Sequence, residues 1–480
     1  MQYFGFDAFE KSINEIDSTV VFIAKENDQT VIIIAEKNGA DLARKASVGI
    51  LGFNAVELGG GLYKAPMTHE NACVLRKLFP FTAPVRGLKN TASFGLGDRL
   101  GIATPGHIDL LSNNDVFPVF AQQSIRELNL TGRTYEDVLD AVSFAVFREG
   151  YKKGFGADGD HLKTVKDIEY ALSLNFSMIT LDCSEHIKNE NADNYPLPEQ
   201  YKNKYIDKTF NIEGITLVFS EAALKECAVI YGEAINFIIE IFNKFFSAGK
   251  RTADFEISID ETVSITTPLQ HFFVAKELLD AGVSFESLAP RFCGEFQKGI
   301  DYIGDIAQFE KEIKIHAAIA RFFGYKLSIH SGSDKFSVFP VIRNVTNGRF
   351  HIKTAGTNWL EAMRVTARKD PSLYREIHSF ALTAFNEAKK YYHVTTDISR
   401  IPDISLVNDT DLPKLFENND ARQLIHITYG MILNHKKDDG TYVFKERLYK
   451  LWRQNENAYR KALAGHIGRH LELLTASQNG

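Results

Sequence analysis

Cysteine is scarce in this 480-residue chain: Cys73, Cys183, Cys227 and Cys293 lie far apart and never in a CxxC pair. That excludes a zinc knuckle and a disulfide framework, and leaves reduced thiols as the expectation. Positive charge is not in excess. Lys and Arg number 55 against 61 Asp and Glu, a formal net charge of −6, so no nucleic-acid-binding surface is indicated. Long apolar runs are missing as well. The longest, such as Thr30 to Ala35, are strand-sized and too short to span a bilayer. The opening MQYFGFDAFEKS has no basic segment followed by an apolar one, so it does not read as a signal peptide and a cytoplasmic protein is expected. Neither G-x-x-x-x-G-K-[ST] nor G-x-S-x-G occurs, which removes local support for nucleotide hydrolysis and serine-esterase chemistry.

What is present suits a globular enzyme. The chain is 44% hydrophobic and 24% charged, enough for a large core. Residues 1–88 read as a small α/β unit. TVVFIA (Thr19 to Ala24) and TVIIIA (Thr30 to Ala35) flank a hairpin signal, and helices follow around Asp41 to Ala46 and His69 to Leu78. Between residues 89 and 370, short apolar segments ending in polar residues alternate with helical stretches. The segments are Ser93 to Ala103, Val116 to Ala121, Gly154 to Asp160, Met178 to Asp182, Phe255 to Asp260, Phe285 to Ala289, Lys326 to His330 and Phe350 to Lys353. Eight such strands alternating with helices predict a (β/α)8 TIM-type barrel. Thr134 with Asp137 forms a capping box ahead of Val138, Val142 and Val146. A polar insertion at about 187–216 reads as a lid or as a solvent-facing loop with no role, followed by one long helix from Ser220 to Phe246. Residues 371–480 read as mostly helical and packed on the barrel or on another subunit. A further strand is expected at Leu424 to Thr428, and one basic amphipathic helix at Leu448 to Leu474.

Barrel enzymes gather their chemistry at the carboxyl ends of the strands. Those ends supply Asp98 with Arg99, Gln122 with Gln123, Asp160 with His161, and Asp182 with Glu185 and His186. Further along come Asp260 with Glu261, Arg291 with Glu295, His330 with Asp334 and Lys335, and His351 with Lys353. The stretch KGFGADGDHLKT (Lys153 to Thr164) is the densest, placing Asp158, Asp160, His161 and Lys163 beside three glycines. Histidines on several strands with carboxylates nearby suit a borderline divalent cation such as zinc, manganese or nickel. His161, His330 and His351 are the candidate ligands. Gly154 to Gly159 also spells G-x-G-x-x-G, with Asp182 at a suitable distance. A dinucleotide fingerprint needs a strand before the glycines and a helix opening at the last one, whereas here a helical pattern precedes them and they belong to a strand.

SFGLGDRLGIATPGHI (Ser93 to Ile108), GFGADGDHLKT (Gly154 to Thr164), ITLDCSEHI (Ile179 to Ile187), SIDET (Ser258 to Thr262), LAPRFCGEFQKGIDY (Leu288 to Tyr302), SIHSGSDKF (Ser328 to Phe336) and KTAGTNWLEA (Lys353 to Ala362) resemble the bacterial tagaturonate epimerase family. The resemblance runs from about Ser93 to the C-terminus. It implies an isomerase of hexuronate breakdown that interconverts D-tagaturonate and D-fructuronate with a divalent metal. Carbon 4, where the two differ, is beta to the ketone at carbon 2, so its hydrogen is not acidified and a retro-aldol route is expected. On chemical grounds Asp160 and Glu261 are the acid–base pair. Asp182, Arg291, Asp334, Lys335 and Lys353 are the substrate contacts, the basic ones for the carboxylate. The other readings are a Schiff-base aldolase or lyase using Lys163, Lys335 or Lys353, a nicotinamide-dependent epimerase, and a sugar-acid binding protein. The expected partner is the small ketouronate alone, with a homo-oligomer left open and no nucleic acid or membrane.

Overall fold

Alternation of polar and apolar residues governs how the central segments fold, although both faces end up buried. The computed structural model describes residues 1–480 except 28, 38–49, 189, 191, 193–194, 263 and 476–480; the helix expected around Asp41 to Ala46 lies outside the described residues. Eight parallel strands form a closed barrel: β1 (Ala92–Leu96), β2 (Phe117–Ser124), β3 (Gly156–Leu162), β4 (Met178–Asp182), β5 (Asp254–Ser258), β6 (Ser287–Ala289), β7 (Lys326–Ile329) and β8 (Phe350–Thr354). They pair in chain order, and β8 closes on β1 with His351 opposite Ser93 and Lys353 opposite Gly95. Ala157, Ile179, Leu181, Phe255, Ile257, Leu327 and Ile352 join the surrounding helices in one core. The intervening residues, among them Asp158, Thr180, Glu256, Ser287, Ser328, His351 and Lys353, are buried too. A period-2 strand sends them to the opposite face, the barrel interior. This interior is polar where barrels usually stack Val, Ile and Leu.

The expected β1 segment is too long. After Leu96 the carboxylate of Asp98 accepts from the backbone N–H of Leu100 at 2.9 Å and of Ala103 at 2.6 Å, which turns the chain into helix Thr104–Leu111. The G-x-G-x-x-G stretch is a strand, as expected. A Cβ on Gly159 would lie 2.9 Å from Leu162 and 3.1 Å from Ala171, so this glycine admits close helix–strand packing and no phosphate.

Ahead of the barrel, strands between Gln2 and Ala65 form a seven-stranded antiparallel sheet centred on the hairpin Thr19–Glu26 and Gln29–Glu36. Val21, Ile23, Ile32 and Ile34 on one face meet Phe144 and Phe147 of helix Tyr135–Arg148, which docks the sheet on the barrel. The insertion after β4 carries helix Glu199–Tyr205 and the hairpin Thr209–Ile212 with Ile215–Val218. It packs on the barrel flank: Tyr205 meets Phe273 at 5.4 Å, Phe210 meets Phe272 at 4.7 Å, and Glu213 pairs with Arg321 at 2.6 Å. Helix Glu221–Ile241 follows and ends in a π turn, Phe242–Phe246.

Two expectations downstream are corrected. Leu424 to Ile427 is helical, the end of Asn419–Ile427, with Thr428 as its C-cap and Asn418 at the other end accepting from Ala421 N–H at 2.9 Å; so short a segment cannot distinguish a strand from a buried helical turn. The basic helix at Leu448 to Leu474 is two, Lys445–Gln454 and Glu456–Thr475. They break at Asn455, whose side chain donates to Leu451 O at 2.9 Å. The basic face of the second is engaged, since Arg460 pairs with Asp109 at 2.7 Å and Glu149 at 2.9 Å. Among the described residues, no helix is long and apolar enough to cross a membrane.

Candidate active site

Lys353 organises the floor of the barrel mouth. Its Nζ lies 2.7 Å from Asp158, 2.8 Å from Asp160 and 2.9 Å from Glu256, and donates to Thr180. Burial works against this ammonium, but Asp158, Asp160 and Glu256 outweigh it and raise its pKa. Asp158 is pushed up to about 6, first by burial. Burial also opposes ionisation of Asp160 and Glu256. Lys353 overrides it in both, helped by His161 for Asp160 and by His330 for Glu256, and both pKa values fall. A lysine so held is neither a free amine nor a free anion receptor.

Above this floor stand two imidazoles. His330 bonds through Nε2 to Glu256 at 2.8 Å and through Nδ1 to Asp260 at 3.0 Å. His161 follows Asp160 directly, and neighbours on a regular strand would face opposite ways. The β3–β4 register shifts between Gly159 and Leu162, and His161 has φ of 53°. This bulge turns its ring to the same side as Asp160. The two rings meet edge to face at 4.8 Å. His161 Nδ1 lies 3.4 Å from Asp182 Oδ2, yet neither buried atom has a hydrogen-bond partner. Burial opposes a charged His161, but Asp160, Asp182, Glu261 and Asp260 together raise it to about 10.

These donors fit a divalent cation. His161, Asp260 and His330 offer ligand atoms within 4.8 Å of one another, as do His161, Asp182 and Glu261. The orphaned His161 Nδ1 and Asp182 Oδ2 call for a bonding partner, and His–carboxylate donor sets suit borderline ions.

A cleft of about 320 Å³ opens over the cluster, bordered by Arg126, Asp260, Glu261, Arg291, Lys298 and His330, and continues into a well of about 50 Å³ reaching Asp160, His161 and Lys353. That volume suits a single small molecule. A larger cavity, about 550 Å³, lies between the N-terminal sheet and the C-terminal helices. Phe144, Met67 and Trp452 line it far from any cluster of acids and imidazoles, so chemistry is assigned to the smaller one. Lys298 is half-buried and donates to Ser331 at 2.9 Å; burial, then Arg126, lowers its pKa.

The structure thus brings Asp160, His161, Asp182, Glu261 and His330 to one site, with Lys353 beneath and Arg291 on the outer wall. It does not bring His351, Asp334 or Lys335 there. His351 lies two residues deeper than Lys353 on β8, bonded to Ser93 at 2.9 Å and held neutral by burial, its pKa lowered to about 3. Asp334 turns away to Arg422 at 2.9 Å. Lys335 donates to the carbonyls of Gln297, Ile300 and Ser333 at 2.8, 2.6 and 2.8 Å. Glu256, Arg126 and Lys298 were missed by sequence reasoning. Glu256 had a signal, an acid in the middle of a strand-like run (FEIS); Arg126 and Lys298 had none.

A closed parallel barrel whose carboxylates and imidazoles converge under an open cleft at the strands' carboxyl ends is a (β/α)8-barrel enzyme. The chain belongs to the tagaturonate epimerase family, whose sequence profile matches residues 9–474. A tagaturonate/fructuronate epimerase of Thermotoga maritima is 44% identical, over 98% of this chain and 97% of its own length. Crystal structures of a fructuronate-tagaturonate epimerase from Cohnella laeviribosi, one native and one with glycerol, are 48% identical. They match with TM-scores of 0.92 and 0.93, covering 98% of this chain and 96% of theirs.

Proposed function

We propose that this chain interconverts D-tagaturonate and D-fructuronate by inverting carbon 4, as a metal-dependent enzyme of the cytoplasm. The observation that carries the reading is the convergence of His161, Asp182, Asp260, Glu261 and His330 on one cleft in a chain of this family. His161, Asp260 and His330 would hold a divalent cation such as zinc, manganese or nickel, which when bound supplies Lewis acidity and a template for the sugar oxygens. Glu256 against His330 orients that ring from behind, as carboxylates do for ligating histidines, while Asp182 faces the orphaned Nδ1 of His161 and would add a carboxylate beside the cation.

The reaction then follows from the residues at the cleft. Glu261, on the cleft wall with its side chain 37% exposed, takes the proton of the carbon 4 hydroxyl. The bond between carbons 3 and 4 breaks, and its electron pair becomes an enediolate across carbons 2 and 3. The new aldehyde rotates, carbon 3 adds to its other face, and Glu261 returns the proton. Asp160, kept ionised by Lys353, is too weak a base for this step and serves as a fixed acceptor for a substrate hydroxyl. Proton transfer of this kind contributes roughly 10²–10⁴-fold. Of the lysines weighed for a Schiff base, Lys335 and Lys353 are fully engaged and Lys163 bonds to Ser184 at 2.9 Å, which speaks against that route at all three.

The test is to incubate metal-loaded protein with D-fructuronate and follow D-tagaturonate by NMR, with and without a chelator. Product should appear and chelation should stop it. No epimer under any metal would sink the activity; full activity in protein shown metal-free would sink the metal.

A further inference from the structure

The mouth cleft carries cations beside its carboxylates, and two of them are only loosely neutralised. Among the described residues no carboxylate pairs with Lys298, whose Nζ donates to Ser331 Oγ. Arg126, in helix Ile125–Thr131 after β2, reaches Glu261 only at 3.8 Å with both side chains well exposed, a weak contact. Its guanidinium sits 5.2 Å from the centre of the Tyr392 ring. Glu127 does not neutralise it, being taken by the buried Arg99 at 2.7 Å. Lys298 and Arg126 border both the outer cleft and the inner well, together with Asp260 and Glu261.

Resting on the function proposed above, we infer that Lys298 and Arg126 receive the terminal carboxylate of the substrate, and so select acid sugars and fix which carbon meets Glu261. A ketouronate has its carboxylate at carbon 6 and its ketone at carbon 2, with carbon 4 between. Anchored by carbon 6 at Lys298 and Arg126, it lays the carbon 4 hydroxyl toward the acid and imidazole cluster. A neutral ketohexose would leave Lys298 half-buried without a counter-ion. Arg291 borders only the outer cleft.

The experiment compares D-fructuronate with its uncharged methyl ester, by turnover and by calorimetric binding, in the unaltered enzyme and in Lys298→Met, Arg126→Met, Lys298→Arg and Arg291→Met. Losing a charge-assisted contact should cost on the order of 10- to 100-fold in kcat/KM for the acid. The ester should be spared in both the Lys298→Met and Arg126→Met variants, and Lys298→Arg should keep the acid preference. Equal losses on acid and ester, or a collapse of the acid preference in Arg291→Met alone, would overturn the assignment. Should Lys298→Met not fold, Arg126→Met and Lys298→Arg decide by the same ratio. Acid that binds in a Lys298-dependent way but is never epimerised would overturn the functional reading and leave the carboxylate site standing.

Discussion

His161 and His330 reach one cleft by different backbone routes, a bulge in β3 and the end of β7, whereas His351 stays on a regular strand and so stays in the barrel interior. The difference predicts metal content. His161→Ala and His330→Ala should each fall well below stoichiometric occupancy after loading and desalting, while His351→Ala should retain it; elemental analysis decides, and full occupancy in both of the first two would refute the ligand set. Asp182→Asn should weaken metal affinity by about 10–100-fold through the loss of a carboxylate charge beside His161. Below the site, Lys326 donates to Ser93 at 2.6 Å and Asn90 O at 3.0 Å. Burial lowers its pKa to about 7 from 10.5. The folded state therefore binds this proton less tightly than the unfolded chain, so stability falls as pH drops from the unfolded value to the folded one, and the deficit is complete below about 7. Urea midpoints of the wild type should rise between pH 7 and 10 relative to those of Lys326→Met; parallel curves would mean that Lys326 titrates normally.

The loop after β7, which carries His330 and Ser331, is fastened by C-terminal elements. Asp334, at φ of 64°, accepts from Arg422 at 2.9 Å and contacts His466, while its backbone N–H donates to His470 Nε2 at 2.9 Å. Asp334, His466 and His470 lie close enough to resemble a metal site. The His470 Nε2 lone pair is already taken and its Nδ1 donates to His466 O at 2.9 Å, so the group is an anchor. Asp334→Ala would strand the buried Arg422 charge, a loss of about 3–5 kcal/mol to be read from urea unfolding. Activity should fall with it as the loop loosens; unchanged stability would show that Arg422 finds another partner. Sequence placed the elements better than it placed their side chains. All eight barrel strands were legible because β-branched and aromatic runs such as MITLD and FEIS end in polar loops. Depth along the barrel axis was not, which is why His351 and Lys353 looked like mouth residues. Nor did local pattern distinguish Asp334 and Lys335, which turn outward, from His330, which turns in; positive φ at Ser331 and Asp334 sets those directions and leaves no mark in composition.

At the scale of the whole molecule, the barrel concentrates charge that other barrels exclude. Asp158, Asp160, Asp182, Glu256, Asp260 and Glu261 meet Lys353, His161 and His330 around one axis, with Lys298 and Arg126 at the cleft above. Buried charges of this kind persist only when paired, and the cluster favours a route in which negative charge moves between oxygens. The carbon–carbon cleavage proposed above would meet that condition, because the only proton that Glu261 would handle is the one on the carbon 4 oxygen. The hydrogen bonded to carbon 4 then becomes the aldehyde hydrogen and returns with its carbon. In D2O, product formed from unlabelled D-fructuronate should carry no deuterium at carbon 4, and substrate deuterated there should show no primary isotope effect. Proton abstraction at carbon 4 would wash solvent deuterium into that position. Hydride transfer would retain the label but slow markedly on deuteration. Mass spectrometry of the product and the ratio of kcat/KM for the two isotopologues separate the three outcomes, and either solvent label at carbon 4 or a primary effect would remove Glu261 from the role given to it here.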